Sequence, residues 1–260
     1  MGTVLLSSLH AQYTSHRKEE TSGAPEPRGL PVLAVNYKAY PTAFGSAGLA
    51  IALSAEKLAE QYDGIVRFIL AVPATEIARI SEALDKVVVY AQHVDPVEPG
   101  AYTGFIPLEA VKEAGAKGTL LNHSERRLRL SDIDLLVRRA TSLGLETLVC
   151  ADTPAAAAAA AVFAPTMVAV EPPELIGTGL PVSKAKPEVI TSSIRMVRMI
   201  NPEVPVLAGA GITSGEDAAR ALELGAAGVL VASAVMKAKD PEAKMLELAE
   251  ALAKAAEKQG

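Results

Sequence analysis

Between residue 31 and the C-terminal end, apolar and largely β-branched runs alternate eight times with stretches that read as helix. The apolar runs cover 32–35, 65–72, 87–91, 119–121, 147–150, 167–170, 204–208 and 228–232. The intervening helical stretches cover 46–62, 75–84, 107–114, 131–143, 154–163, 187–200, 214–224 and 241–258. The runs are continuously apolar rather than alternating, as strands are when helices cover both faces of a parallel sheet. Helix boundaries carry local chemistry: Thr153-Pro154 and Ser214-Gly215-Glu216-Asp217 start as capped helices do, and Leu143-Gly144 and Leu224-Gly225 stop as helices do. Eight regular strand–helix units predict an α/β chain closed into a single (β/α)8 barrel over residues 30–260, with an open doubly wound sheet as the alternative. Residues 1–29 differ. Ser, Thr, Glu, Arg and Pro crowd residues 15–29 without an apolar period, so this tail is expected to be disordered.

Composition removes several classes of function. With half of its 260 residues hydrophobic, the chain can bury a large core. A net charge of −5 argues against nucleic acid as a partner. No apolar run approaches the roughly 18 residues that span a bilayer, and the first residues lack the basic start of a secretory signal. The one cysteine, Cys150, excludes an internal disulfide, fits a reducing cytoplasm, and is expected as a small buried hydrophobe inside the fifth strand. There is no Cys cluster and no closely spaced His/carboxylate set, so neither a metal nor another cofactor is expected.

In a βα-barrel, functional side chains gather where strands end at the C-terminal face. Strand 1 ends in Asn36-Tyr37-Lys38, strand 4 in Asn122-His123-Ser124-Glu125, and strand 6 in Glu171. After Glu171, Pro172 and Pro173 stiffen the backbone, and Gly177 and Gly179 permit left-handed conformations and close approach of N–H groups to a ligand. That is the build of a lid with a base at its hinge. The turn Gly209-Ala210-Gly211 after strand 7 is not a dinucleotide fingerprint, because Ser214 stands where the third glycine belongs. Together with the end of strand 8 it suits a phosphate cradle. Gly211, Ala232 and Ser233 would supply backbone N–H groups, joined by those near Ile176 and Gly177. Glu125 is a candidate for supporting the site, whereas His93 reads as structural. A carboxylate, an imidazole, a lysine and a phosphate cradle suit proton transfer beside a carbonyl in a small phosphorylated substrate. A Schiff-base aldolase using Lys38 and a silent phosphosugar-binding barrel are the rivals.

The segments Asn36-Tyr37-Lys38, Ala91-Gln92-His93-Val94-Asp95-Pro96, Asn122-His123-Ser124-Glu125, Val168 to Gly179 and Gly209-Ala210-Gly211-Ile212 resemble the triosephosphate isomerase family in its short archaeal form. The resemblance runs from about residue 31 to residue 258. It implies the TIM-barrel fold and a cofactor-free isomerase that interconverts D-glyceraldehyde 3-phosphate and dihydroxyacetone phosphate through an enediolate, in glycolysis and gluconeogenesis. Glu171 would be the base, His123 the neutral electrophile and Lys38 their electrostatic partner. Asn36, Tyr37, Lys38, Ile176, Gly177, Gly211, Ala232 and Ser233 would contact substrate. It also implies a homo-oligomer, a tetramer rather than a dimer, in which the loop around residues 100–104 docks into a neighbour. The thin face of the Ala-rich stretch 154–163 offers a second surface for close helix packing. One departure is Ala234, where the family usually has Gly; it would weaken phosphate binding if that position needs φ > 0.

Overall fold

The computed structural model describes residues 29–172 and 182–259. The tail reading and the expected contacts at Ile176 and Gly177 lie outside the described residues. Eight parallel strands pair in sequence order and close into one barrel, β8 returning to β1. The units run β1 (Val32–Asn36), α1 (Gly45–Gln61), β2 (Arg67–Val72), α2 (Ile77–Ser81), β3 (Val88–Ala91), α3 (Leu108–Glu113), β4 (Gly118–Leu121) and α4 (Leu130–Ser142). They continue with β5 (Glu146–Ala151), α5 (Pro154–Ala161), β6 (Met167–Val170), α6 (Val182–Ala185), α7 (Pro187–Ile200), β7 (Val206–Gly209), α8 (Gly215–Glu223), β8 (Gly228–Val231), α9 (Ser233–Met236) and α10 (Pro241–Glu257).

Each strand splits its side chains between two apolar layers. Inside the barrel lie Val32, Ala34, Ile69, Ala71, Tyr90, Leu120, Leu148, Cys150, Met167, Ala169, Leu207 and Leu230. Their strand neighbours, among them Leu33, Val35, Leu70 and Val149, point outward against the helices. Both faces are therefore dry, which is why the strands read as unbroken apolar runs.

Expected boundaries shift for local reasons. The second strand begins at Arg67 rather than at 65, because the N–H groups of Ile65 and Val66 are used in the turn after α1, donating to Tyr62 O at 2.9 and 3.0 Å. The seventh begins at Val206: Pro205 has no N–H to give a ladder, and Val204 N–H turns back to Asn201 O. The caps are as expected. Thr153 Oγ1 accepts Ala156 N–H at 3.1 Å, and Ser214 and Asp217 form a reciprocal capping box at α8. The small-residue face of α5, with Ala157, Ala158, Ala160 and Ala161 buried, packs on α7 of the same chain, so it is occupied within the barrel.

Candidate active site

The C-terminal strand ends converge on a cleft lined by Asn36, Lys38, Tyr40, Glu171, Leu230 and the segments Ala210 to Thr213 and Val231 to Ser233. Glu171 follows β6 directly, with its N–H tied to Ala151 O at 2.8 Å. Its carboxylate is buried, and among the described residues Oε2 has no hydrogen-bond partner. A buried acceptor without a donor is costly, which makes this oxygen a candidate to take a proton. Two neighbours shape this niche. Burial first, and then the adjacent Glu171 carboxylate, push the Cys150 thiol up, which keeps it protonated beneath the site. Gly209 supplies space, since a Cβ there would lie 2.3 Å from Glu171 Cγ.

His123 faces the same niche, its Nε2 3.6 Å from Glu171 Oε2. The backbone N–H of Glu125 donates to His123 Nδ1 at 3.2 Å. A nitrogen that accepts an N–H carries no proton, so in this contact the ring hydrogen sits on Nε2, facing Glu171; the Glu125 carboxylate also lies 3.6 Å from Nδ1. The local structure is a turn closed by Arg126 N–H to His123 O at 2.8 Å, not a helix. Helix α4 starts only at Leu130, so one N–H rather than a macrodipole acts on the ring.

Lys38 reaches across from β1. Its Nζ pairs with Glu125 Oε1 at 2.8 Å, and its side chain is 12 % exposed. Its backbone adopts φ 49°, held by its own N–H to Asn36 Oδ1 at 3.0 Å. Gln92 Nε2 lies within hydrogen-bond distance of Asn36 Oδ1, Lys38 O and Ala71 O (3.2, 3.0 and 3.3 Å). Gln92 thus pins the strained lysine turn, a role that a lone amide at a strand end does not signal in sequence. Glu125, the candidate supporting residue, touches Lys38 with its carboxylate and His123 with its backbone N–H.

Asn36, Lys38, Gly211, Ala232 and Ser233 line the cleft. Tyr37 does not. Its ring is fully buried, and its hydroxyl donates to Gly48 O at 3.2 Å under α1, so it packs the outer layer rather than reaching substrate. Consecutive left-handed residues, Ala210 (φ 70°) and Gly211 (φ 74°), turn the chain after β7. Ala234 sits inside α9 and is not among the positive-φ residues, so its methyl imposes no backbone strain on the cradle. His93 pairs with Asp95 at 3.1 Å away from the cleft lining, consistent with a structural role. Among the described residues, no three His, Cys, Asp or Glu side chains converge as a metal-binding set.

The profile of the family described as "Triosephosphate isomerase" matches residues 31–252. A curated triosephosphate isomerase of Caldivirga maquilingensis is 51% identical over 223 residues, covering 86% of this chain and 98% of that protein. The one from Metallosphaera sedula is 50% identical, covering 84% of this chain and 94% of its own. That of Methanocaldococcus jannaschii is 48% identical, with coverage of 84% and 98%.

Proposed function

This chain belongs to the triosephosphate isomerase family, and from that premise we propose how its residues interconvert D-glyceraldehyde 3-phosphate and dihydroxyacetone phosphate. Glu171 takes the proton from the carbon beside the carbonyl, and the C–H electron pair becomes the enediolate double bond. The developing oxyanion accepts a hydrogen bond from His123 Nε2–H and lies in the field of Lys38. The proton then returns from Glu171 to the neighbouring carbon while the hydroxyl hydrogen passes between the two oxygens. Gly211, Ala232 and Ser233 hold the phosphate through backbone N–H groups, which keeps the leaving group still while the enediolate exists.

One observation carries this reading: a carboxylate oxygen without a partner among the described residues, 3.6 Å from an imidazole whose other nitrogen is already an acceptor. That pairing serves proton abstraction next to a polarised carbonyl, and a binding module has no use for it. Turnover in deuterated water tests it, because the carbon that gains a proton must gain deuterium from a base open to exchange. Borohydride should trap no substrate adduct on Lys38; a trapped imine would favour the aldolase instead.

We also propose a cytoplasmic homo-oligomer, a tetramer in preference to a dimer. Support comes from the loop at residues 100–105, where Tyr102 and Phe105 are 50% and 51% exposed and their rings pack 5.8 Å apart. Large apolar groups presented together on a loop suit burial against a neighbouring subunit. Sedimentation of the purified chain gives the subunit number.

A further inference from the structure

The turn that walls the cleft is held from behind by a buried carboxylate with no part in the chemistry. Asp217, 2% exposed, is the third residue of α8. Its Oδ2 accepts Thr213 N–H at 3.1 Å, Thr213 Oγ1–H at 3.1 Å and Ser214 N–H at 3.0 Å. Its Oδ1 meets Lys184 Nζ at 3.1 Å, and that ammonium also reaches Glu216 Oε1 at 3.1 Å. Lys184 belongs to α6, a separate segment of chain. The same short helix makes two further contacts with this region, Ser183 Oγ to Asp217 O at 3.4 Å and Val182 N–H to Ala210 O at 3.2 Å. All three converge on the connection that runs from the left-handed pair Ala210 and Gly211 to the start of α8.

A left-handed alanine is strained and persists only where its surroundings hold it. An ordinary capping box stabilises its own helix and ends there. Here the capping carboxylate is also the anchor for a cation from another segment, and the backbone it grips leads into the cleft wall. We propose that Asp217 is a positioning residue for the anion-binding turn, acting through the Thr213 and Ser214 amides, and that Lys184 holds Asp217 in place from α6. The inference rests on the reading that this turn takes the substrate's phosphate. Asp217 itself touches no reacting atom.

The test is binding of inorganic phosphate, followed by phosphorus NMR, alongside kcat and KM for the full chain and two variants. A cradle displaced by a fraction of an ångström loses ground-state binding, so phosphate affinity and KM should move more than kcat. We expect phosphate to bind about tenfold more weakly in Asp217→Asn and about threefold more weakly in Lys184→Met, as for loss of one charged hydrogen bond and of its support. Lys184→Met leaves the capping box intact. It therefore isolates the link between segments, and it decides the matter if Asp217→Asn does not fold. Unchanged phosphate affinity in folded Lys184→Met, with or without a lower melting temperature, overturns the proposal, as does unchanged affinity in folded Asp217→Asn. If the unsubstituted chain isomerises substrate but binds no phosphate at millimolar concentration, the cradle reading fails instead.

Discussion

The two ends of the barrel solve opposite problems with the same kinds of side chain. At the N-terminal end, Glu146 opens β5 and its Oε2 takes both the Tyr90 hydroxyl and Arg67 Nη2, so acid, phenol and cation satisfy one another and plug the barrel. Gly118, opposite both Tyr90 and Glu146 in the sheet register, makes room for the ring: a Cβ there would meet Tyr90 Cε1 at 2.6 Å. At the C-terminal end Glu171 is more deeply buried than Glu146, yet among the described residues one oxygen goes without a donor. Its glycine, Gly209, makes room for a carboxylate rather than a ring. Backbone strain follows the same division. Lys38, Asn122 and Ala210, three of the four described non-glycine residues with positive φ, lie within two residues after β1, β4 and β7 on the functional side, while the fourth, Ala164, follows the helix α5. One end is closed for stability; the other retains unmet potential for chemistry.

The contrast breaks most sharply at Glu171. Replacing it with Gln should lower kcat by about 10²–10⁴, the usual worth of a positioned general base. Melting temperature should not fall, because the exchange removes a buried carboxylate whose Oε2 has no donor among the described residues. Coupled-assay rates together with a thermal melt check both. A kcat within about threefold of the original removes Glu171 from the base role.

The two glycines give a matched pair of the next size. Gly209→Ala pushes a methyl into Glu171 Cγ and Cδ, at 2.3 and 2.9 Å before relaxation. A base moved by up to about 1 Å loses on the order of 10- to 100-fold in kcat, with little change in phosphate affinity. Gly118→Ala at the opposite end should cost about 1–3 kcal/mol through overpacking against Tyr90. Its signature is a melting temperature lower by roughly 2–10 °C at unchanged kcat per folded molecule. If Gly118→Ala slows turnover in the folded protein, or Gly209→Ala acts only on stability, the division between the ends is wrong.

That division also explains what could be read from sequence. The barrel was legible because double burial writes itself as unbroken apolar runs, and Glu171, His123 and Lys38 because strand ends can be counted. Boundaries slipped where a hydrogen-bonding detail overrides composition, as at Val66 and Pro205. Tyr37 was misjudged because position in a motif does not say which way a ring points. It stands next to Lys38 yet faces the outer layer. The parts that Gln92, Gly209 and Asp217 play are relations in space that their sequence neighbours do not signal. Nothing local marks a glycine whose missing methyl matters only to a carboxylate on the neighbouring strand, or an aspartate gripped by a lysine 33 positions earlier in the chain.

The smallest expected effect is on pH dependence, and it separates the ends by sign. Burial alone would raise Asp217, but the Thr213 N–H, Lys184 and Ser214 more than offset it and hold the carboxyl below the usual range. A depressed folded value contributes stability that is present above the unfolded value of about 4 and is lost as pH falls through the folded one. Tyr90 is the reverse. Burial first, then the Glu146 charge and hydrogen bond, raise its hydroxyl well above the ordinary value, against an opposing influence of Arg67. Its contribution is complete below about pH 10 and drains away as pH rises toward the folded value, because the unfolded chain ionises first. Each group can set a slope of at most about 1.4 kcal/mol per pH unit, one proton's worth. Urea midpoints measured from pH 2 to 11 should therefore fall at both extremes. Asp217→Asn should reduce the acid slope, with Asp95, Glu109 and Glu247, also held low, leaving a residual, and should touch the alkaline limb slightly because Asp217 raises Lys184. Tyr90→Phe should flatten the alkaline limb, where the buried Tyr37 hydroxyl, also raised, leaves a residual slope. An alkaline limb left unchanged in Tyr90→Phe would remove the buried phenol from the pH dependence of stability, and with it the opposite signs assigned to the two ends.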